Sequence, residues 1–196
     1  MKLNENSLIK PAISIFLRHL GGVIIAFIFF IGLSRFLVDN VTGQILCAIL
    51  FLIVYSIPSY TALWSIGHSD LNKEKFGHLT KDNFKGLKIG LIASIPNYVF
   101  TLLFVLSKFN LFPYNLVVQF KFANAELVPL INLIEPKMYM EFFSVAEVFG
   151  IAALTLIPAV LCFFFYILGN RDFKPSHWLI YKKEPNEKKI NTTNAK

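Results

Sequence analysis

Four stretches of this chain are long and apolar enough to cross a bilayer, and the polar residues gather between them. A helix crossing the ~30 Å hydrocarbon core needs about 20 apolar residues. The first stretch covers residues 20–38, with Arg35 near its far end, where a long side chain can snorkel to the headgroups. The second, 41–67, carries no charge. The third covers 89–108 and closes on Lys108, and the fourth covers 142–169 with Glu147 near its start. Asp39 and Asn40 alone link the first two, which predicts a tight antiparallel hairpin.

The intervening segments have patterns of their own. In 110–141 an apolar stripe at helical spacing includes Phe120, Leu127, Ile131 and Ile134. Pro113 could open such a helix, Pro129 would kink it and Pro136 would end it. Lys121, Glu126, Glu135 and Lys137 cut the segment and leave no run long enough for a fifth span. The pattern predicts one or two short interfacial helices, lying on the outer leaflet or dipping into it, as connector or as lid. In the loop 68–87, Thr80 could cap a helix starting at Lys81, with Lys81, Lys85 and Lys88 on one face within reach of headgroup phosphates. Ile9, Ile13, Phe16 and Leu17 predict a short interfacial helix leading into the first span. Trp178, Lys182 and Lys183 read as an interfacial belt, and 184–196, rich in Lys, Asn and Thr, reads as a disordered tail after a single membrane domain of 1–183.

Charge gives the bundle a direction. With the N-terminus inside, fifteen of the 19 Lys and Arg residues fall on the cytoplasmic side and only Arg35, Lys108, Lys121 and Lys137 outside. Both termini are therefore expected in the cytoplasm, at the plasma membrane. The net charge of +7 then reads as attraction to anionic headgroups and not to nucleic acid. Composition agrees: 55% of residues are hydrophobic and 16% charged, against about a quarter charged in soluble domains. The Lys, Asn, Ile and Phe bias suits an AT-rich bacterial genome. No cleavage site follows the first apolar run, so that span is expected to be retained. Cys47 and Cys162 lie inside apolar runs and read as packing residues.

Two sets of short strings match in order. Leu33-Ser34-Arg35-Phe36 pairs with Leu106-Ser107-Lys108-Phe109, and Ile57-Pro58 with Ile157-Pro158. Trp64 and Gly67 before Asp70-Leu71 pair with Tyr166 and Gly169 before Asp172-Phe173. Two copies of one helical hairpin would leave this pattern, as in many transporters. Unrelated spans also share such strings, because aromatic and basic residues crowd every interface.

Three prolines, Pro58, Pro96 and Pro158, fall roughly 12–17 Å from the cytoplasmic ends of their spans at ~1.5 Å per residue. Each frees a backbone carbonyl that needs a partner or a wet cavity. Thr61, Asn97 and Thr155 lie at the same level, so a polar, kinked layer near the midplane is the candidate site; simple helix bridging is the competing reading. Glu147 is expected to be solvated or paired with Arg35 or Lys108, and His19 and His177 to be interfacial. His68, Asp70 and His78 lack the spacing of a metal site, and no metal or cofactor is expected. Gly86 and Gly90 form one small-xxx-small pair. No span carries a nucleophile beside a base, a pair of acids or a nucleotide loop, so an enzyme is not expected. The reading is an all-α, four-span membrane protein acting as a subunit or accessory protein with a partner, a homo-oligomer or another membrane or cytosolic chain. The alternative is a small oligomeric transporter.

Overall fold

The computed structural model describes residues 8–37, 40–112 and 114–173, with the backbone alone for 34–37. Every regular element among the described residues is helical: α1 (Ile9–Leu37), α2 (Val41–Lys75), α3 (Lys85–Ala93), α4 (Ile95–Lys108), α5 (Val117–Ala123), α6 (Val128–Ile134), α7 (Val145–Leu154) and α8 (Ile157–Asn170). Short 3-10 turns cover Ala125–Leu127 and Met140–Phe142. By length and composition, α1, α2 and the α7–α8 pair are each able to cross a membrane. The bent pairs α3–α4 (58°) and α5–α6 (95°) raise the number from three to as many as five. Ile24, Ile28, Ile45, Ile49, Ile53 and Phe164 face outward, an apolar surface compatible with lipid and not with water.

The first helix is one unbroken element from Ile9, not a short interfacial helix followed by a span. Its buried positions Ala12, Ile15, His19, Gly22 and Ala26 form a single stripe at three- and four-residue spacing. Pro11 sits in the first turn, where its missing amide costs nothing. Asn40 caps α2, its Oδ1 accepting from the Gly43 amide at 2.9 Å. The third helix starts at Lys85, four residues after the Lys81 start that Thr80 suggested. Asp82 makes the difference: its Oδ1 accepts from the Phe84 amide at 3.0 Å and its carbonyl from the Lys85 amide at 3.2 Å.

Two of the three prolines interrupt a helix. Pro96 and Pro158 sit in the first turns of α4 and α8, where the chain restarts after a break. Pro58 does not break α2, which is continuous over 35 residues. The bend at one level in three helices, expected from sequence, is reduced to breaks in two. Segment 110–141 folds into the bundle. Phe120, Leu127 and Ile131 from it join Phe104, Phe143 and Val148 in one core. Helices α2 and α8 cross at glycines: a methyl on Gly67 would collide with the Tyr166 carbonyl oxygen, and one on Gly169 with that of Trp64. Gly86 and Gly90 press on Tyr166, Cys162 and Ala159 of α8 in the same way. Small side chains are what allow such close backbone approach.

Candidate functional site

The 95° bend between α5 and α6 places the turn Ala125–Leu127 against α1 and α2. The residue at its centre is Glu126, whose surface is 0% exposed. Its Oε1 lies 3.8 Å from Nε2 of His19 on α1. Beyond its own main-chain amide, no group among the described residues reaches the carboxyl oxygens at hydrogen-bond distance. His19 packs edge-on against the Tyr55 ring of α2 at 5.2 Å between centroids. Gly22, one turn along α1, makes room for that ring, since a Cβ there would lie 3.0 Å from Tyr55 Cδ2.

Other polar groups collect around this pair. Ser59 lies beside the Tyr55 hydroxyl, and Tyr98 and Cys162 face the same phenol. Ser94, at the break between α3 and α4, lies beside Tyr98. Asn124 is fully buried next to Glu126, with its amide nitrogen donating to the Phe120 carbonyl at 3.0 Å and its Oδ1 without a donor. Both side-chain atoms of Asn97 are buried without a protein partner. An unpaired buried amide costs roughly 1–3 kcal/mol. His19 and Asn97 line a cleft of about 280 Å³ that Pro96, Phe100 and Ala123 help to wall. The cleft exists because the 58° bend at Ser94 swings α4 away from α1, while α3 stays packed on it.

Of the proposed midplane residues, Asn97 alone joins this cluster. Pro96 is exposed and lines the cleft wall. Thr61 is exposed, with its hydroxyl returned to the Pro58 carbonyl at 3.0 Å; Arg18 Nη1 donates to the same oxygen at 3.2 Å. Thr155 is buried at the α7–α8 break and donates to the Ala152 carbonyl at 2.7 Å, and Pro158 is buried beside it. Glu147 is solvated, as one of its expected states has it, and it closes a capping box with Ser144. The Ser144-x-x-Glu147 spacing would have shown this. His19 lies ten residues inside α1 and is buried.

At the other end of α2 a second polar group ties the helices together. Lys85 Nζ lies 2.7 Å from Asp70 Oδ2, and the Tyr166 hydroxyl donates to the same oxygen at 3.0 Å. His68 Nδ1 lies 3.1 Å from Asp172 Oδ1, and Trp64 Nε1 donates to the Phe173 carbonyl at 2.8 Å. Lys85 is therefore turned inward, Lys88 is paired with Asp82 at 2.7 Å, and Lys81 stands exposed in the loop. Trp178, Lys182 and Lys183 lie outside the described residues, as do Pro113 and the tail 184–196. Among the described residues no three His, Cys, Asp or Glu side chains group as metal ligands. Compared with protein-family models, curated proteins and solved structures, the chain matches none.

Proposed function

We propose that this chain is a small membrane transporter that binds a polar solute at the Glu126–His19–Asn97 cluster. The observation that carries the reading is the fully buried carboxyl group of Glu126 facing a buried imidazole among bundle-forming helices. Ionisable groups within a membrane bundle are costly and mark substrate or ion pathways. The arrangement supplies hydrogen-bonding groups of both kinds, which suits the binding and passage of a polar solute.

The reading includes four spans, with both termini cytoplasmic in a bacterial plasma membrane, and segment 110–141 entering from the outer face as a re-entrant hairpin. Tyr55 lies fourteen residues along α2 from Val41, or ~21 Å at 1.5 Å per residue, so a turn that touches its neighbourhood reaches past the middle of a ~30 Å core. Irregular backbone at that depth is tolerated where protein buries it, as here. The crossing of α2 and α8, in which Gly67 and Gly169 each rest on the other helix, supports two related hairpins. Four spans enclose little space, so a homo-oligomer completes the path. A second reading, a subunit acting with a partner, is favoured by Lys73, Lys75 and Lys81 at one end of α2 and its following loop. Those cations suit anionic headgroups or an acidic cytosolic face. Neutralising these three, and leaving Lys85 on Asp70, should release a co-purifying partner if that reading holds.

Cysteine accessibility tests the transport site. In protein with Cys47→Ser and Cys162→Ala, Asn97→Cys and Asn124→Cys should react with a small aqueous thiol reagent, while Thr61→Cys should not. Silence at both asparagine positions would overturn the reading.

A further inference from the structure

We propose that Glu126 and His19 are a proton-carrying pair, so that solute movement through the bundle is coupled to protons. This rests on the transport reading of the same cluster. The two groups face each other with Oε1 and Nε2 3.8 Å apart, about 1 Å beyond a charge-assisted hydrogen bond. Either charge alone in this surrounding would cost several kcal/mol. The pair avoids that cost in two forms of equal net charge: carboxylic acid beside neutral imidazole, or carboxylate beside imidazolium. In passing between them the O–H bond of Glu126 breaks as an N–H bond forms at Nε2 of His19. The imidazolium passes the proton bound at Nδ1, an atom buried without a partner among the described residues, to water or solute in the cleft as a second proton reaches the Glu126 carboxylate, which returns the pair to carboxylic acid beside neutral imidazole. A small shift of the turn Ala125–Leu127 would close the gap.

Position supports the direction of transfer. His19 lines the cleft beside Asn97 and Glu126 does not, so the imidazole stands between the carboxyl group and the bundle surface. No other charge among the described residues competes for the pair. Tyr55 on α2, Tyr98 on α4 and Cys162 on α8 face the cluster, and phenols and thiols of ordinary acidity are neutral near pH 7. Arg18, next to His19 on α1, turns to the Pro58 carbonyl. Lys121 on α5 is spent on Asn132 and the carbonyls that follow α6.

Infrared difference spectroscopy of the full chain in lipid vesicles tests this with the proton itself as probe. Above the C=O bands of the exposed carboxyl groups, the wild type should show a higher-frequency band of a carboxyl without hydrogen-bond donors from other described residues, which appears and disappears reversibly with pH and shifts in heavy water. Glu126→Gln should remove the band, Glu126→Asp should restore one, and His19→Gln should move its midpoint by about one pH unit or more. A wild-type spectrum without a titrating high-frequency band, or a midpoint indifferent to His19→Gln, overturns the proposal even if Glu126→Gln fails to fold. A silent carboxyl with a reactive Asn97→Cys removes the coupling and leaves the transport site. A titrating carboxyl with unreactive Asn97→Cys and Asn124→Cys removes both.

Discussion

Lys121 shows how a single side chain holds the folded-in segment. It is 5% exposed, and its ammonium donates to Asn132 Oδ1 at 2.8 Å and to the carbonyls of Glu135, Pro136 and Lys137 at 3.1–3.2 Å. Those carbonyls follow the end of α6, where helix geometry leaves acceptors without amide partners. Lys121→Met keeps the apolar stem and removes every donor. It should cost on the order of 1–3 kcal/mol, because part-buried acceptors lose a charged donor. Thermal unfolding of the purified protein in detergent measures this, and an unchanged midpoint would exclude the role. Lys121→Arg should recover only part of the loss, since a planar guanidinium does not fit four oxygens gathered around one point. Lys121 and Glu126 also explain why the site was hard to read in sequence. Charges in a linker read as solvated, and only the tertiary structure reveals the oxygens that satisfy one and the imidazole that faces the other. Asn97 was legible because it stands beside Pro96 within an apolar run. Thr61 shares its level but faces away, and level is all that residue counting provides.

At the scale of elements, two junctions make opposite demands. The start of α3 depends on a charge. Asp82 is held below its ordinary value of 3.8 by the hydrogen bond from Lys88 first, and by the Phe84 amide as well. A carboxylate whose folded value is depressed stabilises the fold above its unfolded value, and that contribution is lost as pH falls through the depressed one. The first turn of α3 should therefore loosen in acid below about pH 4, and Asp82→Asn should be loose at all pH values. Hydrogen exchange at the Phe84 and Lys85 amides, corrected for intrinsic rates, reports it; protection that is flat with pH would contradict the assignment. The α2–α8 crossing depends instead on the absence of side chains. Gly169→Ala must push α2 away from α8, and overpacking of this kind costs about 1–3 kcal/mol, seen as a lower melting midpoint. Long elements such as α2 were legible from apolar length alone. The start of α3 was not, because Thr80 and Asp82 are both good capping residues and the choice between them was made by Lys88 and the Phe84 amide. The small-xxx-small pair Gly86 and Gly90 was visible, but its partner on α8 could come only from the packed structure.

For the whole molecule, the question with most consequence is how many times the chain crosses the bilayer, because it decides from which side Glu126 is approached. The described helices allow three to five crossings. A crossing α5–α6 would put its two ends on opposite faces, whereas a re-entrant hairpin returns them to the same face. The structure favours return: Asn115, just before α5, donates from its side-chain amide to the Met138 carbonyl at 2.8 Å, so the entry and the exit of the segment touch. Their contact is incompatible with placing them a membrane thickness apart. Single cysteines at Asn115 and Tyr139, both exposed, should consequently react from the same side with a membrane-impermeant thiol reagent in intact cells. If that side is the outer one, Lys75→Cys, in the loop after α2, should stay unreactive until the membrane is permeabilised. Labelling of Asn115→Cys and Tyr139→Cys from opposite sides would add a fifth crossing to the four of the proposed reading, and would then place the two ends of the chain on opposite faces. Labelling of both only after permeabilisation would invert the orientation and open the Glu126 turn from the cytoplasm. The outcome therefore bears on the side to which a proton released from His19 belongs, since the cleft beside it lies between α1 and α4, with Ala123 at the inner end of α5 in its wall, and not at the mouth of the hairpin.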